Sequence, residues 1–106
     1  MATRETQAKI TNAALELFNE FGSASVSFEK IAGKAGISKG NLHYHFSSKE
    51  QIVMALWSQL DKKINNELYP LSDLKISNIS DMLLDHFKVI WDYRFIYNEL
   101  NFILAR

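Results

Sequence analysis

Residues 27–49 place the strongest constraint on the fold of this 106-residue chain. They form two short helical segments separated by Gly36, where a helix C-terminus favours a residue that adopts a left-handed backbone. Ser38 is a favoured N-cap for the second segment. Ala32 is small where the two helices must cross closely, and Leu42 returns to the core one turn further on. Ala32, Gly36 and Leu42 fall at relative positions five, nine and fifteen. This spacing predicts a helix-turn-helix.

Apolar and polar positions separate into two groups within this segment. The positions predicted to form the small core of the motif are Ile31, Ile37, Leu42 and Phe46. The positions expected to face outward are Lys39, Asn41, His43 and Tyr44. A short helix that exposes such groups is typical of domains that place a helix end in the major groove of DNA.

Hydrophobic periodicity along the chain predicts helices and no strand, so the expected fold class is all-α. The expected bounds of the first four helices are about 4–21, 28–35, 39–46 and 49–68. Ser27 is a predicted N-cap of the second helix, and Ser48 with Gln51 forms a predicted capping box at the start of the fourth. The apolar positions at four-residue spacing in the fourth helix are Ile52, Leu56, Leu60 and Ile64.

Pro70 interrupts this pattern, and residues 71–77 are predicted to connect to a second helical region. One helix is expected from about residue 78 and another over about 94–104. The apolar stripe of the first of these is Ile79, Leu83, Phe87, Ile90 and Trp91. The predicted division is a helix-turn-helix domain at 1–48 with its motif at about 26–46, a connecting helix at 49–68, and the start of a second domain at 71–106.

Charge is unevenly distributed, although the formal net charge is zero. Four lysines and no acidic residue lie between Lys30 and Lys49, which gives this stretch a local charge of +4. From residue 50 onward there are six basic and eight acidic residues. A solvated lysine-rich face is the alternative to a nucleic-acid footprint, but the coincidence with the helix-turn-helix favours the footprint.

Composition excludes several other classes of protein. The chain has no cysteine, so disulfides and thiolate metal sites are excluded. No apolar run approaches the roughly 20 residues needed to span a membrane, and the N-terminus lacks the apolar core of a signal peptide. His43 and His45 point about 200° apart on a helix, so they are not expected to bind one metal ion. No catalytic constellation is visible, and no cofactor is predicted.

A longer run of residues carries a family resemblance. It comprises Ile31-Ala32, Ala35-Gly36-Ile37-Ser38-Lys39-Gly40-Asn41-Leu42, Tyr44-His45-Phe46 and Ser48-Lys49-Glu50, preceded by the helical positions Ile10, Ala13, Ala14, Leu17, Phe18 and Phe21 and then Gly22. Over about residues 4–60 the chain resembles the DNA-binding domain of the TetR family of transcriptional regulators. His43 and His45 depart from the tyrosines usual at these two positions in that family.

The resemblance implies that the third helix lies in the major groove of DNA. Lys39 and Asn41 are then expected at base edges, since Asn pairs with adenine and Lys donates to guanine. Gly40 would allow close approach of the backbone. The positions expected at phosphate or sugar are Ser27, Ser38, His43, Tyr44 and Lys49, which would set register rather than sequence. An ordinary exposed helix turn is the alternative for Lys39 and Asn41.

The resemblance also implies a cytoplasmic, ligand-responsive repressor that binds a palindromic operator as a dimer. A small effector would bind in the second, incomplete helical domain, which in this family also dimerises. The 106 residues would then be a fragment or a natural truncation, of which a fragment is the favoured interpretation. The positions expected at the effector are Trp91, Tyr93, Arg94 and Tyr97, with core packing as the alternative. Two other functions remain open. One is a helical protein-interaction module that keeps the fold without binding DNA, and the other is a small helical enzyme.

Overall fold

The computed structural model describes residues 2–67 and 76–104, and every regular element in these ranges is helical. The six α-helices are α1 (Ala2–Phe21), α2 (Phe28–Ala35), α3 (Lys39–His45), α4 (Lys49–Lys62), α5 (Ile79–Asp92) and α6 (Arg94–Leu104). A 3₁₀ turn at Ser23–Ser25 joins α1 to α2, and another at Ile76–Asn78 precedes α5. The all-α prediction is confirmed. Pro70 and most of the predicted connector lie outside the described residues.

Three serines start three helices, as their sequence context predicts. The hydroxyl oxygens of Ser27, Ser38 and Ser48 each accept a hydrogen bond from the amide three residues later, at 3.1, 3.0 and 3.3 Å. Each serine has an extended backbone, which is the N-cap conformation. Local side-chain chemistry therefore fixes where α2, α3 and α4 begin.

Gly36 ends α2 in the left-handed conformation that its position predicts, with φ 75° and ψ 30°. Its amide donates to the Gly33 carbonyl at 3.2 Å, and the Ile37 amide donates to the Ala32 carbonyl at 3.0 Å. These two bonds form a Schellman motif, which satisfies carbonyls at the end of the helix. The turn between α2 and α3 is therefore hydrogen-bonded through the backbone on its α2 side and capped by Ser38 on its α3 side.

The predicted core of the helix-turn-helix is confirmed for two positions and modified for two. Ile31 and Leu42 are fully buried, whereas Ile37 and Phe46 are partly buried at the edge of the same cluster. Ala32 is 3% exposed, as expected of a small residue at a close crossing of α2 with its neighbours. The motif is therefore anchored by the buried Ile31 and Ala32 of α2 and the buried Leu42 of α3.

The end of α4 differs from its predicted pattern. Ile52, Leu56 and Leu60 are buried as expected, but Ile64 is 38% exposed. The α-helix ends at Lys62, and Lys63–Glu67 continues as a π-helical turn. A π turn has more residues per turn than an α-helix, so Ile64 rotates out of the four-residue stripe.

A single cluster of buried residues joins the N-terminal helices to the corner between α5 and α6. Tyr93, Phe95 and Ile96 are at most 3% exposed and belong to the same cluster as the buried residues of α1 and α4. The rings of Phe18 and Phe95 are 5.2 Å apart and tilted by 52°. The corner therefore packs directly on the region predicted to be the DNA-binding domain.

The predicted apolar stripe of α5 is present but lies largely open. Leu83, Phe87 and Trp91 are 44%, 61% and 64% exposed, and the neighbouring Leu84 is 66% exposed. Periodicity thus identified the apolar side of the helix without showing what covers it. Within the described ranges, no helix has the length and apolar character needed to cross a membrane.

Candidate nucleic-acid interface

Helix α3 is held to the fold mainly through a single side chain. Leu42 is fully buried, and Phe46, which follows the helix, is partly buried. His45 is half-buried, and the other residues of the helix are exposed. Almost the whole surface of this short helix is therefore available to a partner.

Lys39, the first residue of α3, forms an ion pair with Glu29 in the first turn of α2. Its ammonium nitrogen lies 3.1 Å from the carboxylate oxygen, and both side chains are more than half exposed. An exposed pair of this kind contributes about 0.2–1 kcal/mol. Lys39 can therefore leave Glu29 for a phosphate or a base at little cost.

Asn41 presents a free-standing carboxamide on the surface of α3. Its side chain is exposed, while its backbone amide is used by the Ser38 cap at 3.0 Å. The carboxamide carries two donors and an acceptor, which is the set that pairs with the major-groove edge of adenine. The structure thus leaves the side chain exposed while the backbone beneath it is fixed.

Gly40 lies between these two residues, and the fold does not require a glycine there. Its φ is not positive, and a Cβ placed on it would meet no atom within 4 Å. The same is true of Gly33 in α2. The surface of α3 at Gly40 is consequently flat, and a flat position permits a close approach by an external partner.

Ser27 and Ser38 use their hydroxyl oxygens as caps, which leaves the hydroxyl hydrogen available. A serine hydroxyl has one donor and two acceptor lone pairs, and capping consumes one lone pair. Both serines are exposed at the start of their helices. Each can therefore cap its helix and donate to a phosphate at the same time.

The aromatic residues of α3 have different surroundings. The His43 ring lies 4.4 Å from the Phe28 ring of α2, at an interplanar angle of 35°. Tyr44 is 81% exposed and meets His45 edge-on at 5.1 Å. Among the described residues, no group of three or more His, Asp or Glu side chains is placed to hold a metal ion.

Lys49, which is expected at phosphate or sugar, also makes contacts within the protein. Its ammonium group donates to the carbonyl oxygens of Ser23 at 2.7 Å and Val26 at 3.1 Å. An ammonium has three donors, so one N–H remains. The side chain holds the 3₁₀ turn after α1 against the start of α4, and this contact was missed because its acceptors lie 23 and 26 residues earlier in the chain.

The local charge of +4 is partly compensated in three dimensions. Lys34 lies 3.1 Å from Glu16 of α1, and Lys39 is paired with Glu29. Lys30 lies 5.9 Å from the centre of the Phe21 ring. The charge of this surface is therefore lower than the +4 of the lysine-rich stretch, since both acids lie outside that stretch and are brought to it by the fold.

The four positions expected at an effector do not share one environment. Tyr93 is buried, and its hydroxyl donates to Gln59 Oε1 at 3.2 Å. Trp91 is exposed, and the Arg94 guanidinium stacks 4.1 Å from its ring while donating to the Trp91 carbonyl at 3.0 Å. Tyr97 is half-buried at the edge of the core. Effector contact by these residues remains a prediction.

Comparison with known proteins places this geometry in a family. The family described as bacterial regulatory proteins, tetR family, matches residues 10–56, which include every residue predicted to contact DNA. The HTH-type transcriptional regulator RutR of Escherichia coli K12 is 37% identical to this chain. The aligned region covers 62% of this chain and 34% of the RutR sequence. The HTH-type transcriptional regulator UidR of the same strain is 43% identical, and the aligned region covers 48% of this chain and 26% of the UidR sequence.

A solved structure extends the similarity into α5 and α6. The crystal structure of a TetR-family transcriptional regulator from Marinobacter aquaeolei VT8 matches 93% of this chain and 50% of that one, with a TM-score of 0.80 and 31% identity. The chain spans about a third of the length of RutR and half of this regulator. The sequence match, the helix-turn-helix geometry and the structural match together show that residues 10–56 form a helix-turn-helix region of the tetR family of bacterial regulatory proteins.

Proposed function

We propose that this chain is the DNA-binding part of a transcriptional regulator and that α3 lies in the major groove of its operator. The observation that carries this proposal is the exposure of α3. The helix is fixed at its start by Ser38 and held by Leu42, and its exposed side chains include Lys39, Asn41 and His43. A helix-turn-helix reaches base edges with a recognition helix that is exposed in this way.

Base recognition is assigned to Asn41 and Lys39. Asn41 has the donor and acceptor that adenine requires, and Lys39 supplies donors for guanine once it leaves Glu29. Gly40 between them lets the helix backbone come close to the bases. The proposed sequence preference of the protein therefore depends on the first turn of α3.

Backbone contacts are assigned to residues around this turn. The hydroxyls of Ser27 and Ser38, the exposed rings of His43 and Tyr44, and the remaining N–H of Lys49 are all suitable donors to phosphate or sugar. These contacts would fix register and contribute most of the salt-dependent affinity.

We further propose that the complete protein is a cytoplasmic homodimer that represses transcription from a palindromic operator. RutR and UidR are both named as transcriptional regulators, which supports regulation as the role. Two recognition helices must match half-sites about 34–36 Å apart. A small effector, bound near the α5–α6 region that holds Trp91 and Arg94, would weaken binding by changing that separation.

Selection of bound sites from random duplex DNA tests this proposal. The full-length protein is used at a stated salt concentration, and the K39A/N41A double variant is the matched control. Recovery of a palindrome by the wild type, lost in the variant, is the expected result. A folded dimer that enriches no sequence would contradict the proposal and favour a protein-interaction module.

A further inference from the structure

The carboxamide of Asn19 bridges the break between α5 and α6. Its Nδ2 donates to the carbonyl of Asp92, the last residue of α5, at 2.8 Å. Its Oδ1 accepts from the amide of Phe95, in the first turn of α6, at 3.0 Å. Both groups belong to the helix-end backbone atoms that have no partner within their own helices. One side chain of α1 thus satisfies the end of one helix and the beginning of the next.

Asparagine is suited to this position because it carries a donor and an acceptor on one rigid group. Aspartate keeps the acceptor for Phe95 and loses the donor to Asp92. Alanine loses both. Hydrogen bonds are strongly angle-dependent, whereas apolar contacts such as that between Phe18 and Phe95 are not directional. The carboxamide therefore fixes the orientation of the corner on α1 in a way that the surrounding core does not.

Two further hydrogen bonds link the α5–α6 region to the helix and the turn next to the helix-turn-helix. The Tyr93 hydroxyl donates to Gln59 of α4 at 3.2 Å. The Ser23 amide donates to Glu99 of α6 at 2.9 Å, and the Ser23 carbonyl accepts from Lys49 at 2.7 Å. The backbone of a single residue is thus held from both sides, by an acid of α6 and a base of α4. A shift of α6 would act on α1 and α4 together.

We propose that Asn19 is a positioning residue that sets the orientation of the helix-turn-helix relative to α5 and α6. This inference rests on the proposed function, since it assigns to Asn19 the task of holding two recognition helices at the spacing of the operator. Asn19 itself is not among the residues assigned to DNA. Its loss lowers affinity for the palindrome, where the two helices must fit together, and leaves affinity for unrelated duplex unchanged.

The experiment compares N19A and N19D with N12A in the full-length protein. Asn12 is an exposed asparagine of the same helix and serves as the matched control. Hydrogen exchange is followed by mass spectrometry for peptides covering the α5–α6 corner. Affinity is measured for the selected operator and for a scrambled duplex of equal length at equal salt, after circular dichroism has shown that each variant is folded.

In N19A, exchange at the corner is expected to be about tenfold faster. Its operator affinity is expected to be about fivefold weaker, with affinity for the scrambled duplex unchanged. N19D keeps the bond to Phe95 but turns a carboxylate oxygen toward the Asp92 carbonyl, so it is expected to bind the operator more weakly than the wild type. N12A is expected to match the wild type. Faster exchange with unchanged operator affinity would overturn the positioning role, as would equal losses on both duplexes. A wild type that binds neither duplex would instead refute the proposed function, which separates the two failures.

Discussion

The ammonium group of Lys39 lies 3.1 Å from the carboxylate of Glu29, so α3 begins with a cation already paired to α2. Glu29 also places a negative charge beside the surface assigned to DNA. Removing that charge by E29Q is expected to free Lys39 and to tighten operator binding by up to about fivefold. This factor corresponds to the free energy of an exposed ion pair, which is at most about 1 kcal/mol.

The matched control for E29Q is E16Q. Glu16 forms a pair of the same length with Lys34, but it lies on α1, away from α3. Fluorescence anisotropy titrations at two salt concentrations would compare the two variants. Tightening by E16Q equal to that by E29Q would show that net charge, rather than release of Lys39, is responsible.

Gly40 and Gly33 allow a test of close approach that separates stability from binding. Neither has a positive φ, and a Cβ on either meets nothing within 4 Å. Alanine at each is expected to raise the free energy of unfolding by up to about 1 kcal/mol. G40A is expected to weaken operator binding by about 1–3 kcal/mol, because the added methyl group overpacks the interface with DNA, and G33A to leave it unchanged. Urea unfolding and DNA titration of both variants supply the measurements, and wild-type affinity in G40A would argue against close approach.

Lys49 is expected to contribute to folding as well as to binding. Because its ammonium holds two carbonyl groups, K49A is expected to lower the free energy of unfolding by about 1–3 kcal/mol. It is also expected to weaken binding to all sequences and to reduce the slope of log affinity against log salt by about one.

Urea unfolding and a salt series separate the two roles of Lys49, with K62A, an exposed lysine of the same helix, as control. If K49A loses stability but keeps the wild-type salt slope, Lys49 does not contact phosphate. Its role would then be to hold α4 against the turn after α1.

Local chemistry explains why the helix-turn-helix was predictable from sequence. Ser27, Gly36 and Ser38 each act on backbone groups within about one turn, and the bounds of α2 and the start of α3 follow from them. The exposure of Asn41 and the burial of Leu42 follow from helical periodicity alone.

Partners distant in the chain explain why other features were not predictable. Asn19 binds residues 73 and 76 positions later, and Lys49 binds carbonyls of a turn whose approach to α4 depends on the whole core. The pairing of Lys39 depends on the crossing of α2 and α3. The π turn that exposes Ile64 carries no strong local signal. Each of these features requires the assembled fold.

The measurement that tests the central claim most directly is the affinity of N41A for the selected operator, for each single-base variant of it, and for a scrambled duplex. If Asn41 reads a base, N41A loses about 1–3 kcal/mol of binding free energy on the operator and little on scrambled DNA. N41A also loses the preference for one base pair in each half-site. Equal losses on operator and scrambled DNA, with every base preference retained, would contradict the assignment of α3 as the helix that reads the sequence.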